Sequence, residues 1–192
     1  MYHCHLTIYF AGCQPELQDT IQAMAPLEGF THSFSASGAP DHALAAQADL
    51  ILADLSAGES EEMTAELLGC KKQDAELIVL GGKEQTAHLP LSMLCDIWTT
   101  PLSEKELRFR FQRWQQRRKQ AAELWQTSHY LEATINSVPN LVWYKTKDGI
   151  HEKVNDSFCR TVNKTKEQVE GRGHAYIWDV EQDDPACIES ER

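Results

Sequence analysis

Between residues 5 and 102, short apolar runs alternate with stretches of helical period. HLTIYFAG (5–12) reads as a buried strand, and PELQDTIQAMAPL (15–27) as a helix opened by Pro15 in its first turn. GFTHSFSA (29–36) alternates as a second strand, with Phe30 and Phe34 spaced for one face. APDHALAAQA (39–48) is a short helix with Asp41 placed as its cap, and LILADL (50–55) a fully apolar strand reaching Asp54. SAGESEEMTAELLGCKKQ (56–73) is an acidic loop running into a helix. AELIVLGG (75–82) is a fourth strand stopped by Gly81 and Gly82. QTAHLPLSMLC (85–95) is loop and short helix, and CDIWTTPL (95–102) a shorter fifth strand. Strands alternating with helices at this spacing predict an α/β fold, a five-stranded parallel sheet with helices on both faces.

From Ser103 the pattern changes. Residues 103–138 hold neither Pro nor Gly and predict one long connecting helix. Ser103 and Glu106 form a capping-box pair at its start. Leu107, Phe111, Trp114, Arg118, Ala121 and Trp125 follow 4-3 spacing, and Leu124, Ser128, Leu131, Ile135 and Val138 an offset second series. The first series to Trp114 fits packing on the sheet. Beyond Arg117 the pattern predicts a coiled-coil seam and a homodimer, with Ala121, Leu124, Trp125, Ser128, Leu131 and Ile135 at the contact. After Pro139, LVWYKTKDGIHEKVN (141–155) reads as two strands joined at Asp148-Gly149. DSFCRTVN (156–163) and KTKEQVEG (164–171) read as short capped helices, and residues 172–192 as an acidic tail without a clear period.

Composition narrows the function classes. Among 192 residues, 42% are apolar and 24% charged, as in a folded soluble domain. Acids outnumber bases by 29 to 18, for a net charge of −11, which argues against nucleic acid as a partner. The basic residues of RFRFQRWQQRRK (108–119) spread around a helix between acids and read as a solvated face. No run approaches the ~20 apolar residues of a membrane span, and the first residues lack a secretory pattern, so a cytoplasmic protein is the simplest expectation. Six scattered cysteines, with no C-x-x-C, read as reduced thiols. His3, Cys4 and His5 sit close in sequence, but only His3 and His5 share a strand face, so no metal site is expected.

Ligands of parallel α/β sheets gather at the carboxyl ends of the strands, where Asp54 stands. Through ADLILADL (48–55), the strand-helix spacing and TTPLSEKEL (99–107), the first hundred residues resemble the response-regulator receiver domain. The resemblance implies a phospho-accepting aspartate at Asp54, two acids for Mg²⁺ at the first strand's end, a Thr or Ser ending the fourth strand and a Lys ending the fifth. This chain has Phe10 and Ala11, then Gly81, then Thr100 at those places. A lone carboxylate lacks the oxygen donors that Mg²⁺ demands, so a degenerate, non-phosphorylated pseudo-receiver is expected. A genuine phospho-acceptor at Asp54 and the input region of a histidine kinase are the alternatives.

INSVPNLVWYKTKDGIHEKVNDSFCRTVNKTKEQVEGR (135–172) resembles the front half of a PAS domain, with the later strands missing. That resemblance makes Trp143, Phe158, His174 and Trp178 pocket candidates, with His174 the only histidine placed for an axial ligand. Neither haem nor flavin is expected, no cofactor is assigned, and the PAS ligand stays open. The order expected is a pseudo-receiver over 1–102, its last helix running on to about 118, a signalling helix over 103–138 and an incomplete PAS segment over 139–192. It resembles the sensory region of bacterial diguanylate cyclases, with an output domain following. No catalysis is expected of the chain itself. A flavodoxin-like redox protein would need a phosphate-cradling loop where AGCQPEL (11–17) stands, and no catalytic triad or nucleophile elbow is visible.

Overall fold

The computed structural model describes residues 4–57 and 60–181. His3 and Cys187 lie outside them. The chain divides into two compact units, residues 1–120 and 121–192.

The first unit is a five-stranded parallel sheet of β1 (Cys4–Ala11), β2 (Phe30–Ser37), β3 (Leu50–Asp54), β4 (Glu76–Gly81) and β5 (Asp96–Thr99). The strand order is β2-β1-β3-β4-β5, the doubly wound order of receiver and flavodoxin-like folds. Helices α1 (Pro15–Gln22), α2 (His42–Gln47), α3 (Ser60–Cys70) and α4 (Lys83–Thr86) connect the strands. The central strands are apolar on both sides because both faces are covered. One face buries Leu6, Ile8, Phe10, Leu50, Leu52 and Ile78 with Leu107, Phe111 and Trp114 of α5 (Glu104–Ser137). The other buries Tyr9, Ala11, Ile51, Ala53, Leu77 and Val79 with Leu67 of α3.

Local rules explain most boundaries. Asp41 caps α2 by accepting from the Ala43 and Leu44 amides at 2.9 and 3.0 Å. Ser103 and Glu106 close the capping box of α5: the Glu106 amide donates to Ser103 Oγ at 3.3 Å and the Ser103 amide to Glu106 Oε2 at 3.1 Å. Helix α1 ends at Gln22, five residues short of the expected limit at residue 27 (27 − 22). Pro26 disfavours helical backbone just before it, and Met24 turns into the core instead.

Helix α5 is continuous over 34 residues. Arg113 and Arg117 are exposed, as expected of a solvated face, but the end of the arginine-rich segment packs on the sheet domain. The Arg118 Nη1 donates to Glu76 Oε1 at 2.6 Å, and the Lys119 Nζ to the Glu28 carbonyl at 3.0 Å.

In the second unit, β6 (Trp143–Lys145) and β7 (His151–Val154) form the antiparallel hairpin expected at Asp148-Gly149. Gly149 takes φ +79°, a conformation costly for residues with a Cβ. Helices α6 (Asp156–Val162), α7 (Lys166–Val169) and α8 (His174–Trp178) follow. The last was not legible in the aperiodic tail. Val154, Phe158, Val169 and Ile177 make the unit's small core.

Candidate functional site

The carboxyl ends of β1, β3 and β5 enclose a cleft of about 520 Å³, lined in part by Gln14, Glu16, Asp54, Ser56, Thr100, Glu104 and Leu107. Asp54 ends a strand with no exposed residue, so its side chain is nearly buried, 7% exposed, and reaches the cleft only at the strand tip. Its Oδ1 accepts from the Ser56 amide at 2.9 Å and from Ser56 Oγ at 2.6 Å. This Asx-type turn occupies one carboxylate oxygen locally. Ser56 was not singled out in the sequence, although an Asp followed two residues later by Ser is the signature of such a turn.

The remaining positions predicted at the strand ends are placed as follows. Phe10 is fully buried in one core and Ala11 in the other. Gly12 follows at φ +67°, where a Cβ would come within 3.2 Å of the Asp54 carbonyl oxygen, so glycine is required for this close approach. The Gly81 carbonyl accepts from the Thr100 amide at 3.0 Å, ahead of a cis Thr100–Pro101 peptide. Gln85 fills the end of β4, its Oε1 accepting from the Gly82 amide at 2.7 Å and its Nε2 donating to the Leu55 carbonyl at 3.1 Å.

A receiver-type fold implies Mg²⁺ at this point. The donors present do not fit it. Where two carboxylates would sit, the chain presents a buried phenyl ring and a methyl group, and half of the Asp54 carboxylate is taken by Ser56. Among the described residues, no three His, Cys, Asp or Glu converge as a metal site. Behind the cleft, Cys13 donates from Sγ to the Leu52 carbonyl at 3.2 Å. Burial, and then the Asp54 charge, push this thiol up to about 12, so it stays protonated and inert. His5 engages Thr31 Oγ1 at 2.9 Å and Ser33 Oγ at 3.0 Å through its two ring nitrogens.

On the second half of α5, Leu124, Trp125 and Leu131 are 72%, 68% and 62% exposed. Ala121 and Ser128 are exposed and Ile135 is half-buried. Trp125 stacks on His129 at 5.1 Å between ring centroids. Ser128, Leu131 and Ile135 also line a cavity of about 240 Å³ with Val154, Lys153 and Lys166. Part of the second 4-3 series thus faces the hairpin of its own unit.

The four pocket candidates of the second unit do come together. Phe158 is buried at the centre, with Trp143 5.9 Å and Trp178 6.0 Å from its ring centroid, and His174 lies 5.9 Å from Trp178. Trp143 is half-exposed and Trp178 39% exposed, so the cluster forms the wall of a core with an open aromatic side. Among the described residues of this unit, Asn155, which the sequence reading passed over, has the most hydrogen-bonded side chain. It is fully buried, and its Oδ1 accepts from the Val142 and Phe158 amides at 3.1 and 3.0 Å. Its Nδ2 lies 3.0, 3.2 and 2.9 Å from the carbonyl oxygens of Ile135, Val138 and Asn140. The available signal was its N-cap position ahead of DSF.

No protein-family model matches the chain, and no curated protein sequence matches it. Among solved structures, the chain is similar to a pilus assembly protein CpaE from Caulobacter crescentus CB15, 14% identical, over 54% of this chain and 88% of that one, with a TM-score of 0.40. It is also similar to a putative CpaE2 pilus assembly protein from Sinorhizobium meliloti 1021, 16% identical, over 53% of this chain and 92% of that one, with a TM-score of 0.41. At these values nothing of either protein's activity transfers to this chain.

Proposed function

We propose that the chain is a regulatory module: a receiver-like domain that conveys conformation without phosphoryl chemistry, joined by α5 to a PAS-like segment. The observation that carries this reading is the burial of Phe10 and Ala11 at the carboxyl end of β1, each 0% exposed in the sheet's two cores. Phosphoryl transfer to a carboxylate needs a cation to screen the incoming charge; among the described residues no lysine lines this cleft, and its other acids, Glu16 and Glu104, do not converge with Asp54 as a metal site. In this reading the second half of α5 pairs with its counterpart in a homodimer, and the two units bias that helical pair between two arrangements. The PAS-like segment supplies the sensory input, and a diguanylate cyclase is the output that the LVWYKTKDGIHEKVNDSFC resemblance points to.

Incubation with a small phosphodonor and Mg²⁺, followed by intact-mass measurement, tests the central statement. The expected result is an unchanged mass. A phosphoryl adduct on Asp54 would overturn the reading.

A further inference from the structure

One face of the first half of α5 carries three guanidinium groups within two turns. Arg110, Arg113 and Arg117 line a groove of about 590 Å³ against β5, together with Phe109, Trp114 and Asp96. The volume lies within the range of small-molecule sites. Like charges so close repel one another, and local neutralisation is incomplete. Among the described residues neither Arg110 nor Arg113 forms an ion pair, and the field of Arg110 reaches the fully exposed Glu106 one turn back. Arg117 spends one donor, Nη2 bonding Cys95 Sγ at 2.8 Å, and stands 3.8 Å from a Glu76 oxygen that already accepts from Trp114 and Cys95. Asp96, the acid in the groove, uses Oδ1 on the Ile97 amide at 2.8 Å and Oδ2 on Trp98 Nε1 at 3.0 Å. In a chain of net charge −11, this is a concentrated positive site with unspent donors.

The geometry narrows the ligand. Arg110 and Arg117 are seven residues apart, ~10 Å along a helix axis, so together with Arg113 they suit a ligand with several negative groups in a row. A chain of phosphoryl groups offers each of the three forks its own pair of oxygens, whereas a single phosphate has four oxygens in all. Guanidinium forks bind phosphoryl oxygens in pairs. Beside them the Phe109 ring is 61% exposed, with the Arg113 guanidinium 6.0 Å from its centroid, a surface on which a flat heterocycle can stack. We propose that this groove binds a nucleoside polyphosphate, with Arg110, Arg113 and Arg117 on the phosphoryl groups and Phe109 under the base.

Isothermal titration of the full chain with ATP at low salt tests this, with tripolyphosphate and a poly-glutamate peptide as separate arms. Saturable ATP binding is expected, weakened about tenfold or more by Arg110→Ala with Arg113→Ala. Alanine is favourable at exposed helical positions, and circular dichroism checks that α5 persists. Arg113→Lys keeps the charge but not the fork, and several-fold weakening is expected of it as well. Phe109→Ala should weaken ATP and leave tripolyphosphate unchanged. No ATP binding at millimolar concentration, unaltered affinity in the arginine variants, or tighter binding of poly-glutamate would each overturn the assignment. Tripolyphosphate binding as tightly as ATP would overturn the role given to the base.

Discussion

Trp114 Nε1 donates a 2.8 Å hydrogen bond to Glu76 Oε2, joining α5 to the first residue of β4 across 38 positions of sequence. The same carboxylate accepts from Arg118 Nη1 at 2.6 Å and from Cys95 Sγ at 2.7 Å. Its side chain is 24% exposed, so the attraction is only partly screened. Glu76 therefore anchors α5 at the amino end of the sheet, opposite the Asp54 cleft. This clamp adds to the apolar contact that Leu107, Phe111 and Trp114 make with the sheet.

Burial alone would raise the Glu76 carboxyl, but the hydrogen bonds from Cys95, Arg118 and Trp114 and the Arg118 charge hold it below the usual range. A carboxylate depressed in the folded state stabilises fully above its unfolded value, ~4.3, and that contribution disappears as pH falls through the lower folded value. Glu76→Gln should therefore flatten the dependence of Tm on pH below about 4.5. Glu76→Ala should cost about 2–3 kcal/mol at neutral pH in urea denaturation, because it strands Trp114 Nε1 and the Arg118 charge. Equal slopes for wild type and Glu76→Gln would remove the clamp from the account.

His32 lies on β2 with its ring edge-on to Phe34 and Phe111, centroids 5.9 and 6.0 Å away. Both ring nitrogens are buried without a hydrogen-bond partner among the described residues, as are both amide atoms of Gln115 on α5. Desolvation, then the nearby His5, lower the His32 pKa. The unfolded chain thus takes up this proton first, and stability falls as pH drops below about 6.5. His32→Leu should reduce the loss of Tm between pH 7.5 and pH 5. Gln115→Leu should stabilise by about 1 kcal/mol, since it removes unmet polar groups. A wild-type slope retained in His32→Leu would assign the pH response elsewhere.

The exposed apolar residues of α5 bear on the proposed pairing. Trp125 and Leu131 are 68% and 62% exposed, an arrangement a second helix can cover. Burying such side chains is worth ~1.5–3 kcal/mol each. Sedimentation equilibrium of the full chain should show a dimer, and Trp125→Glu with Leu131→Glu should weaken it by about a hundredfold or more. A wild type that stays monomeric at high concentration would dismiss the seam.

Strand and helix placement in the first unit was legible because its signals are local. LILAD is apolar until the charge that ends it, and Asp41 and Ser103 mark helix starts by short-range bonds. The cleft was legible as a position and as a deficit, since strand ends follow from topology and Phe10, Ala11 and Thr100 are visible as non-acids and a non-lysine. What sequence could not reveal is partnership over distance. Glu76 looks like the polar start of a strand until Trp114 and Arg118 arrive from a helix 38 and 42 residues away. Arg110, Arg113 and Arg117 read as a solvated face because a groove exists only once β5 stands beside them.

Asn155 repeats this lesson within the second unit and gives the sharpest contrast between two substitutions. Its amide oxygen caps α6 through the Phe158 amide and holds the Val142 amide, while its two amide protons are shared among the carbonyls of Ile135, Val138 and Asn140. The end of α5, the entry to β6 and the start of α6 therefore meet on one side chain. Asn155→Ala removes both functions and should cost about 3 kcal/mol, because several buried backbone groups lose their partner at once. Asn155→Asp keeps the cap acceptor but points a negative oxygen at three carbonyl oxygens, and should destabilise at least as much at neutral pH. Lowering the pH toward the carboxyl's own protonation range should restore part of that loss, since a protonated acid can again donate. Amide hydrogen exchange provides the readout: Val142 and Phe158 should lose protection in Asn155→Ala, whereas amides of β1 and β3 in the first unit should not change. Wild-type protection at Val142 in the alanine variant would show that the hairpin is held to α6 by its apolar core alone.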